Sequence, residues 1–476
     1  MKTKRIALLS CGFALHCLTV IAQPIDYGDG LENLAPPRVL TNQEGLFDHF
    51  KGIGRIRTDN GRSCTATLID TRTTLRTTGP AYVLTSGHCI YRPHNGIIIT
   101  DQQVTGTVTF NYFTDTVDQQ QPFALKRVRW SSMQGVDLAI VELQAPLQSL
   151  IDAGITPLRL AEQAPAEGTD ILIVGAPIPF KRHYLRLTAC THQLSAQFIE
   201  HPWVWRHTVK NQCKDIKEGS SGSPALIRDT NEVYAVMNAT TPQDGSFGNP
   251  ISYLGPCFVD GLLTTAPERC PLFPTFSVQA TEYIQRYAKV KRDAQGKENY
   301  PRWNVAFSID KPFYRYKTAR DAIQCEDPND YSPAIEAANA RIDAPIGPQS
   351  GLHLLCLIGV ESADERPSPG LMRNALTFAT ELQAAGPAAP AQVKFSQRAG
   401  RYLINWDHDP RLITKQTFKV GPVQTTDCKD PAGYNRAWRK IILPAHKLPV
   451  KVCTYAFDHA DQQSEVREDV LEVGGV

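Results

Sequence analysis

The sequence predicts a mainly β protein with more than one domain, and four observations support this prediction. Short β-rich runs separated by turn residues fill the chain from Gly52 to Thr240. Cysteines fall into close pairs along the chain, and a short motif recurs in the carboxy-terminal third. At 476 residues the chain exceeds the length that one hydrophobic core serves, which is roughly 250 to 300 residues. Two or three domains are therefore expected.

The amino terminus has the layout of a secretory signal peptide. Basic residues among the first five precede an apolar stretch from Ile6 to Ile21, and the small residue Ala22 follows. We expect cleavage after Ala22, so that residues 1–22 are a signal peptide and the mature protein is secreted. A lipidation box ending at Cys11 is the alternative, but that box would fall inside the apolar run. No later stretch approaches the ~18 apolar residues of a membrane span.

The overall charge argues against two classes of partner. The chain has 50 Lys and Arg residues against 48 Asp and Glu residues. A nearly balanced charge of this kind does not favour binding to nucleic acid or to a membrane surface. Any substrate preference must therefore come from a local site.

The strand pattern indicates a sandwich or barrel rather than alternating strands and helices. The predicted strands are Thr65–Ile69, Tyr82–Thr85, Val104–Tyr112, Leu138–Leu143, Ile171–Val174 and Val233–Met237. The first helical pattern comes at Ala280–Tyr287. The charged stretch that follows, Val290–Tyr300, is predicted to be an exposed linker between domains.

The cysteines predict disulfide bonds. Of the 12 cysteines, Cys11 and Cys17 leave with the signal peptide, and an even number remains, as is typical of exported disulfide proteins. Nearest-neighbour pairing is the simplest of many connectivities. It would join Cys64 with Cys89, Cys190 with Cys213, Cys257 with Cys270, Cys325 with Cys356, and Cys428 with Cys453. Zinc is the alternative, but the chain has no C-x-x-C or HExxH spacing, so neither a metal nor another cofactor is predicted.

An internal repeat divides the carboxy-terminal part of the chain. Cys325–Tyr331 and Cys428–Tyr434 share the pattern Cys-x-Asp-Pro-x-x-Tyr, and a second cysteine follows each copy in an apolar run. We therefore predict two small β-sandwich modules, residues 300–385 and 391–476, each clamped by one disulfide. They resemble the immunoglobulin-like modules often appended to secreted bacterial enzymes.

Three short strings carry the candidate chemistry. Val-Leu-Thr-Ser-Gly-His-Cys ends at Cys89, Gly-Val-Asp opens an apolar strand at Asp137, and Gly-Ser-Ser-Gly-Ser-Pro begins at Gly219. In this order and with these flanking residues, they resemble the chymotrypsin/trypsin family of serine proteases. The resemblance implies a domain over residues 39–290 with two six-stranded β-barrels. It also implies a catalytic triad of His88, Asp137 and Ser221 in the cleft between them.

The chemistry of acyl transfer explains why these residue types are needed. A serine hydroxyl becomes a good nucleophile when a histidine removes its proton, and an aspartate orients that histidine. Ser221 is favoured over Ser220 and Ser223 because only Ser221 has Gly at positions −2 and +1. The amides of Gly219 and Ser221 would then form the oxyanion hole. The string is not the GxSxG elbow of α/β-hydrolases.

The sequence departs from the family at the site of zymogen activation. Trypsin-like enzymes have Asp immediately before the nucleophile, whereas this chain has Ser220. The string is more similar to that of bacterial glutamyl and lysyl endopeptidases of the same fold. Arg38-Val39 is a candidate processing site that would make residues 23–38 a short propeptide. An uncut Pro-Pro-Arg loop is the alternative.

The specificity pocket is predicted from two positions. Asp215 lies six residues before Ser221, where a trypsin-like enzyme has its pocket carboxylate, which favours cleavage after Lys or Arg. Lys217 would oppose that charge, and Cys213 lies further from the nucleophile than in the family. Met237 takes the position at which glutamyl endopeptidases have a histidine, which argues against a preference for Glu.

The sequence therefore predicts a secreted serine endopeptidase that acts on protein or peptide substrates. Its carboxy-terminal modules would bind a surface, a glycan or a protein. The alternative is a catalytically silent adhesin that uses the protease fold for binding. The intact set of His88, Asp137, Ser221 and Gly219 weighs against that alternative.

Overall fold

The computed structural model describes residues 25–475 apart from 73–78, 92–95, 179–183, 196, 244, 283 and 439, so the predicted signal peptide, residues 1–22, lies outside the described residues. The α-helices are α1 (Gly87–Ile90), α2 (Leu147–Asp152) and α3 (Pro369–Arg373). Short 3-10 helices cover Asp48–Phe50, Val117–Gln119, Ser252–Cys257, Ala322–Glu326 and Ala445–Lys447. None of the described helices has the length and hydropathy to cross a bilayer. The protein is mainly β, as predicted.

The first half of the protease region is a closed barrel. Its strands, with one preceding edge strand, are β1 (Arg38–Val39), β2 (Ile53–Thr58), β3 (Ser63–Leu68), β4 (Pro80–Thr85), β5 (Ile98–Gln103), β6 (Gly106–Phe110), β7 (Gln121–Ser132) and β8 (Leu138–Pro146). The barrel runs β7-β6-β2-β3-β4-β8 and closes between β8 and β7. Val83 and Val141 fill the barrel, while Leu84 and Ile140 face the second half of the region. Burial on both faces explains why β4 and β8 have continuous apolar runs.

The second half is an open sheet. Its strands are β9 (Asp170–Gly175), β10 (Arg186–Thr191), β11 (Gln193–Leu194), β12 (Gln197–Glu200), β13 (Trp203–Arg206), β14 (Val209–Asn211), β15 (Pro224–Ile227), β16 (Val233–Thr241) and β17 (Gly245–Pro250). Among the described residues, the main sheet runs β1-β10-β9-β15-β16-β17-β14-β11 and does not close. The chymotrypsin-like fold is confirmed, with one closed barrel and a half-barrel in place of the expected second closed barrel. The strands β12 and β13 form a separate hairpin.

The first carboxy-terminal module has two sheets. The strands after β17 are β18 (Phe258–Val259), β19 (Leu262–Leu263), β20 (Val278–Ala280), β21 (Tyr287–Lys289), β22 (Lys291–Arg292), β23 (Glu298–Asn299), β24 (Val305–Ile309), β25 (Phe313–Ala319), β26 (Ile335–Glu336), β27 (Arg341–Ile342), β28 (Gly351–Val360) and β29 (Leu376–Gln383). The hairpin of β18 and β19 still packs in the core of the protease region, and the module begins with β20. One sheet runs β20-β24-β27 and the other runs β26-β25-β28-β29-β21.

The second module repeats this arrangement. Its strands are β30 (Lys394–Arg398), β31 (Arg401–Asn405), β32 (Lys415–Pro422), β33 (Asn435–Arg436), β34 (Ile441–Pro444), β35 (Val450–Phe457) and β36 (Arg467–Leu471). Its sheets run β30-β31-β34 and β33-β32-β35-β36. The register also repeats, since Lys317 pairs with Cys356 in the first module and Lys419 with Cys453 in the second.

The predicted helix at Ala280–Tyr287 is wrong. The strand β20 ends at Ala280 and β21 begins at Tyr287, and none of the described residues between them is helical. Val278 pairs with Ile309, and Tyr287 pairs with Glu381. The first module therefore takes in residues that the sequence-based boundaries, 290 and 300, assigned to the protease domain and the linker. Local periodicity could not show this, because both pairing partners lie far along the chain.

Five disulfides are formed among the described residues, with the predicted pairing. One cluster resembles a metal site, because ligand atoms of Cys64, His88 and Cys89 lie within 4.8 Å of one another. The two sulfurs of this cluster are bonded to each other, so they cannot act as thiolate ligands. The cluster is a covalent clamp beside His88.

Candidate active site

His88 lies on a one-turn helix that is tightly fixed. Its helix, α1, follows β4 directly, and the Cys64–Cys89 disulfide ties it to β3. A side chain on Gly87 would place Cβ 2.2 Å from the Ser132 carbonyl oxygen, so only glycine allows the helix to lie this close to β7. The close packing holds the imidazole at a defined position beside the segment that precedes Asp137.

Asp137 is fully buried and grips His88 at two points. Its Oδ2 lies 2.6 Å from His88 Nδ1, and its Oδ1 accepts the backbone N–H of His88 at 2.9 Å. The backbone of Asp137 is also held, because its N–H donates to Asn249 Oδ1 at 2.8 Å and its carbonyl accepts from Asn238 Nδ2 at 2.6 Å. A carboxylate in this position requires the proton on Nδ1, which leaves Nε2 as the basic nitrogen.

Ser221 lies in a tight turn bounded by two glycines with left-handed backbone, Gly219 at φ +88° and Gly222 at φ +85°. A Cβ on Gly222 would lie 2.0 Å from the Thr65 carbonyl oxygen. Ser220 and Ser223 are buried, whereas Ser221 is partly exposed. Of the three serines, Ser221 is therefore the one that a substrate can reach.

Hydrogen bonds link the turn that carries Ser221 to the strand β3 and to Asp137. Thr65 donates from its backbone N–H to the Ser221 carbonyl at 2.9 Å and from Oγ1 to the Gly219 carbonyl at 2.9 Å. Asn238 contacts both Asp137 and Ser221, because its Nδ2 donates to the Asp137 carbonyl and its own carbonyl lies 3.5 Å from Ser221 Oγ. The turn that carries Ser221 is thus fixed on β3, the strand that contains Cys64 of the Cys64–Cys89 disulfide.

Two backbone amides beside Ser221 have no acceptor among the described residues. The carbonyl of Glu218 accepts from Ile178 N–H at 2.8 Å, and that of Ser220 accepts from Ser223 N–H at 2.9 Å. Because a trans peptide is planar, fixing these carbonyls turns the N–H groups of Gly219 and Ser221 the opposite way. Within the described residues, neither N–H has an acceptor. Both are therefore available to an oxyanion.

The pocket beside Ser221 does not contain the predicted carboxylate. The cavity, of about 140 Å³, is lined by Ile216, Lys217, Glu218, Ser220, Ser221, Met237, Asn238, Ala239 and Thr240. Met237 is among these residues. Asp215 instead lies exposed in a left-handed turn and pairs with Lys217 at 3.1 Å. The Cys190–Cys213 disulfide, attached eight residues before Ser221, gives this wall a different path from the one expected.

The amino-terminal segment is also part of the folded domain. Arg38 and Val39 form β1 and pair with β10, and Leu34 N–H donates to the Ala189 carbonyl at 2.8 Å. Asp26 accepts two bonds from Arg228, which hold the pKa of this carboxyl well below its usual range. Residues 25–37 thus pack on the open sheet instead of forming a free loop.

Several residues at the site carry no local sequence signal. Asn249 lies 112 residues from Asp137, and Arg206 lies 71 residues after Gly135. Two other residues could have been found from the sequence. Thr65 directly follows Cys64, and Gly135 belongs to the Gly-Val-Asp string, where a glycine near a functional aspartate suggests a constrained backbone. The asparagine and arginine partners follow only from the fold.

A family of known proteins matches part of this chain. Residues 64–236 match the family described as trypsin-like peptidase domain. No curated protein gives a significant match. Among solved structures, a thermostable serine protease, AL20, from an extremophilic microorganism is 17% identical with a TM-score of 0.31, covering 43% of this chain and 92% of its own. Human heparin binding protein is 16% identical with a TM-score of 0.35, covering 48% and 96%. At these scores the structural matches carry no argument, and the assignment rests on the family match.

Proposed function

We propose, on the premise that residues 64–236 form a trypsin-like peptidase domain, that the protein is a secreted serine endopeptidase with His88, Asp137 and Ser221 as its triad. The observation that carries this proposal is the double contact of the buried Asp137 carboxylate with His88, beside an accessible Ser221 and two amides without an acceptor in the described residues.

The geometry supports acyl transfer in two steps. Ser221 Oγ forms a bond to the scissile carbonyl carbon while His88 Nε2 takes the hydroxyl proton, and the amides of Gly219 and Ser221 bind the developing oxyanion. The C–N bond then breaks as His88 returns the proton to the leaving amine. In the second step, His88 takes a proton from water as the water oxygen bonds to the acyl carbon; the bond from that carbon to Ser221 Oγ then breaks, and His88 returns the proton to Ser221 Oγ. Asp137 stabilises the imidazolium in both steps.

The structure supports export and argues against processing at Arg38. Five disulfides favour an oxidising compartment, in agreement with the signal peptide predicted over residues 1–22. Ser220 has no charge to pair with a new amino terminus, and residues 25–37 are docked. We therefore expect the active enzyme to begin before residue 25. Mass spectrometry giving Val39 as the amino terminus of active enzyme would contradict this.

The pocket favours an uncharged side chain before the scissile bond. Met237 and Ala239 are among its lining residues, whereas Asp215 is not, and the exposed Asp215 carboxylate pairs with Lys217 instead. The Lys/Arg preference expected from the sequence thus lacks its carboxylate. In a fluorogenic peptide panel, we expect Ala, Val or Leu to be cleaved faster than Lys or Arg. A strong preference for Arg would restore the first interpretation.

A direct test of the function compares the wild type with S221A on a protein substrate. We expect hydrolysis to fall by about 10⁴-fold or more in S221A with unchanged folding. Proteolysis retained in S221A would refute the role of Ser221, and no proteolysis in the wild type would favour the adhesin alternative. A ligand for the carboxy-terminal modules stays a prediction; the exposed Trp438 of the second module is the place to test it.

A further inference from the structure

We propose that the first carboxy-terminal module is part of the catalytic unit, and that Arg206 and Glu326 are positioning residues that hold the segment carrying Asp137. This inference rests on the proposed role of Asp137. A chain of contacts runs from the segment of Asp137 through Gly135 and Arg206 to Glu326. No residue of the module touches the substrate in this account.

The first contact joins Arg206 to Gly135, two residues before Asp137. The backbone N–H of Arg206 donates to the Gly135 carbonyl at 2.8 Å, and Gly135 forms a single parallel β-bridge with Trp205. Gly135 has φ +74°, and a Cβ there would lie 2.2 Å from Arg206 Nη2. The guanidinium therefore packs directly beneath the Gly135 backbone, and only glycine leaves room for it.

The second contact joins the same guanidinium to the module. Arg206 Nη1 donates to the Ala375 carbonyl at 2.8 Å and to Thr377 Oγ1 at 2.9 Å, while Nη2 donates to the Arg373 carbonyl at 2.5 Å. Its Nε donates to Glu326 Oε1 at 2.9 Å. The Arg206 side chain is only 1% exposed. A planar fork with all its nitrogens engaged has little freedom to move.

The charge of Glu326 makes this burial possible. A buried guanidinium is costly unless a counter-ion lies against it. The second Glu326 oxygen, Oε2, is bonded to His207 Nε2 at 3.0 Å. Burial raises the pKa of the Glu326 carboxyl, but the hydrogen bond from His207 and the charge of Arg206 outweigh this effect and lower the pKa to about 2. Glu326 is therefore charged at any pH at which the enzyme works.

A neighbouring contact fixes the same segment independently. Gln134 Nε2 donates to the Asn374 carbonyl, and Asn374 Nδ2 donates to the carbonyls of Leu272 and Pro274 at 2.9 and 2.8 Å. The backbone of Gln134 is also fixed, because its N–H donates to Ser132 Oγ at 2.7 Å. The segment from Gln134 to Asp137 is thus held by the first module directly, through Asn374, and indirectly, through Arg206.

Comparison of the two repeats indicates that the Glu326 carboxylate is needed for the contact with Arg206 and not for the folding of the module. The second module has the same loop, but Lys429 takes the position of Glu326 and is exposed. A module of this fold can therefore form without an acid after its first cysteine. Glu326 is found in the copy that lies against the protease region, where Arg206 needs it.

The test uses the full chain with E326Q and a matched control, E361Q. Glu361 belongs to the same module and pairs with Lys311, but its side chain is 66% exposed. The readouts are kcat and KM on a soluble peptide, with active sites counted by fluorophosphonate labelling. We expect E326Q to lower kcat per active site by about 10 to 100-fold with KM within about twofold. E361Q should match the wild type in both.

A purely structural role would behave differently. It would lower the number of labelled sites in E326Q and leave kcat per site at the wild-type value, which would overturn the proposal. If E326Q does not fold, Q134M removes the neighbouring contact without disturbing the ion pair, and we expect it to lower kcat per site by about 3 to 10-fold. Wild-type kcat per site in Q134M would equally overturn the proposal. If the wild type itself does not label, the proposed function fails, and this inference fails with it.

Discussion

The two carboxy-terminal modules share one architecture and differ in what they contact. In each, a lysine of the central strand donates to two carbonyls of the cysteine loop, Lys317 in the first module and Lys419 in the second. In each, a tyrosine hydroxyl donates to the carbonyl of the first cysteine, at 2.8 Å from Tyr331 and 2.7 Å from Tyr434. The repeated residues therefore build the module itself.

The differences lie where the first module meets its neighbours. It has the additional strand β21 and the acid Glu326, which the second module lacks. The second module docks on the first through a buried ion pair, Lys289 Nζ to Asp458 Oδ2 at 2.7 Å. One copy of the duplicated fold has thus become part of the protease, while the other is attached to the first copy. The predictions below test this division.

The largest expected effect comes from exchanging the residues that distinguish the two copies. E326K places a second cation against the buried Arg206, so we expect a loss of about 3 to 5 kcal/mol in unfolding free energy and of measurable proteolysis. The converse change, K429E, alters an exposed position and should stay within about 0.5 kcal/mol of the wild type. Urea unfolding and peptide hydrolysis of both variants measure the difference. Equal behaviour of the two variants would show that the modules are equivalent.

The next largest effect concerns Gly135, whose backbone packs against the Arg206 guanidinium. G135A would force a Cβ against the guanidinium, so we expect kcat to fall by about 100-fold. The control is G400A in the second module, which also has a left-handed backbone, φ +68°, but no atom within 4 Å of the added Cβ. G400A should cost about 1 kcal/mol in stability and leave kcat unchanged. If G135A keeps its activity, the Gly135 contact does not position Asp137.

A third prediction concerns the pH dependence of stability. The pKa of Glu326 is about 2 in the folded protein and is 4.5 for a free side chain. A lowered pKa contributes stability above the unfolded value, and this contribution is lost as the pH falls from about 4.5 towards 2. E326Q should therefore unfold with a shallower pH dependence over that window, by about 1 to 3 kcal/mol. Parallel curves for E326Q and the wild type would mean that the ion pair adds no stability.

The smallest effect should be the same in both modules. Y331F and Y434F each remove one hydrogen bond to a cysteine carbonyl, so each should lower stability by about 0.5 to 1.5 kcal/mol. Neither variant should change kcat per active site, because the bond lies inside the module. Thermal unfolding with activity assays checks both. A kcat loss in Y331F alone would extend the positioning network to this tyrosine.

Much of the fold could be predicted because its signals are local. The strands at Tyr82–Thr85 and Leu138–Leu143, the disulfide pairs and the repeat can all be recognised within short windows of sequence. The strands β20 and β21 could not be recognised, because their pairing with Ile309 and Glu381 is settled by the fold. The short run Ala280–Tyr287 fits a helical period equally well, and local pattern alone does not decide between the two.

The candidate site divides along the same line. His88, Asp137, Ser221 and Gly219 are marked by their neighbours along the chain, and the structure shows Asp137 bound to His88 and linked through Asn238 to Ser221. The pocket was harder, because a position counted back from Ser221 assumes a loop path that the Cys190–Cys213 disulfide changes. The contact of Arg206 with Glu326 spans 120 residues, and no local pattern connects them.

The most direct measurement of the central claim is the site of covalent labelling. Purified full-length protein is treated with a fluorophosphonate probe, digested, and mapped by mass spectrometry, with S221A treated in parallel. The account predicts one modified residue, Ser221, and no label in S221A. Label on Ser220, on Ser223 or outside the cleft, or a wild-type protein that takes no label, would contradict it.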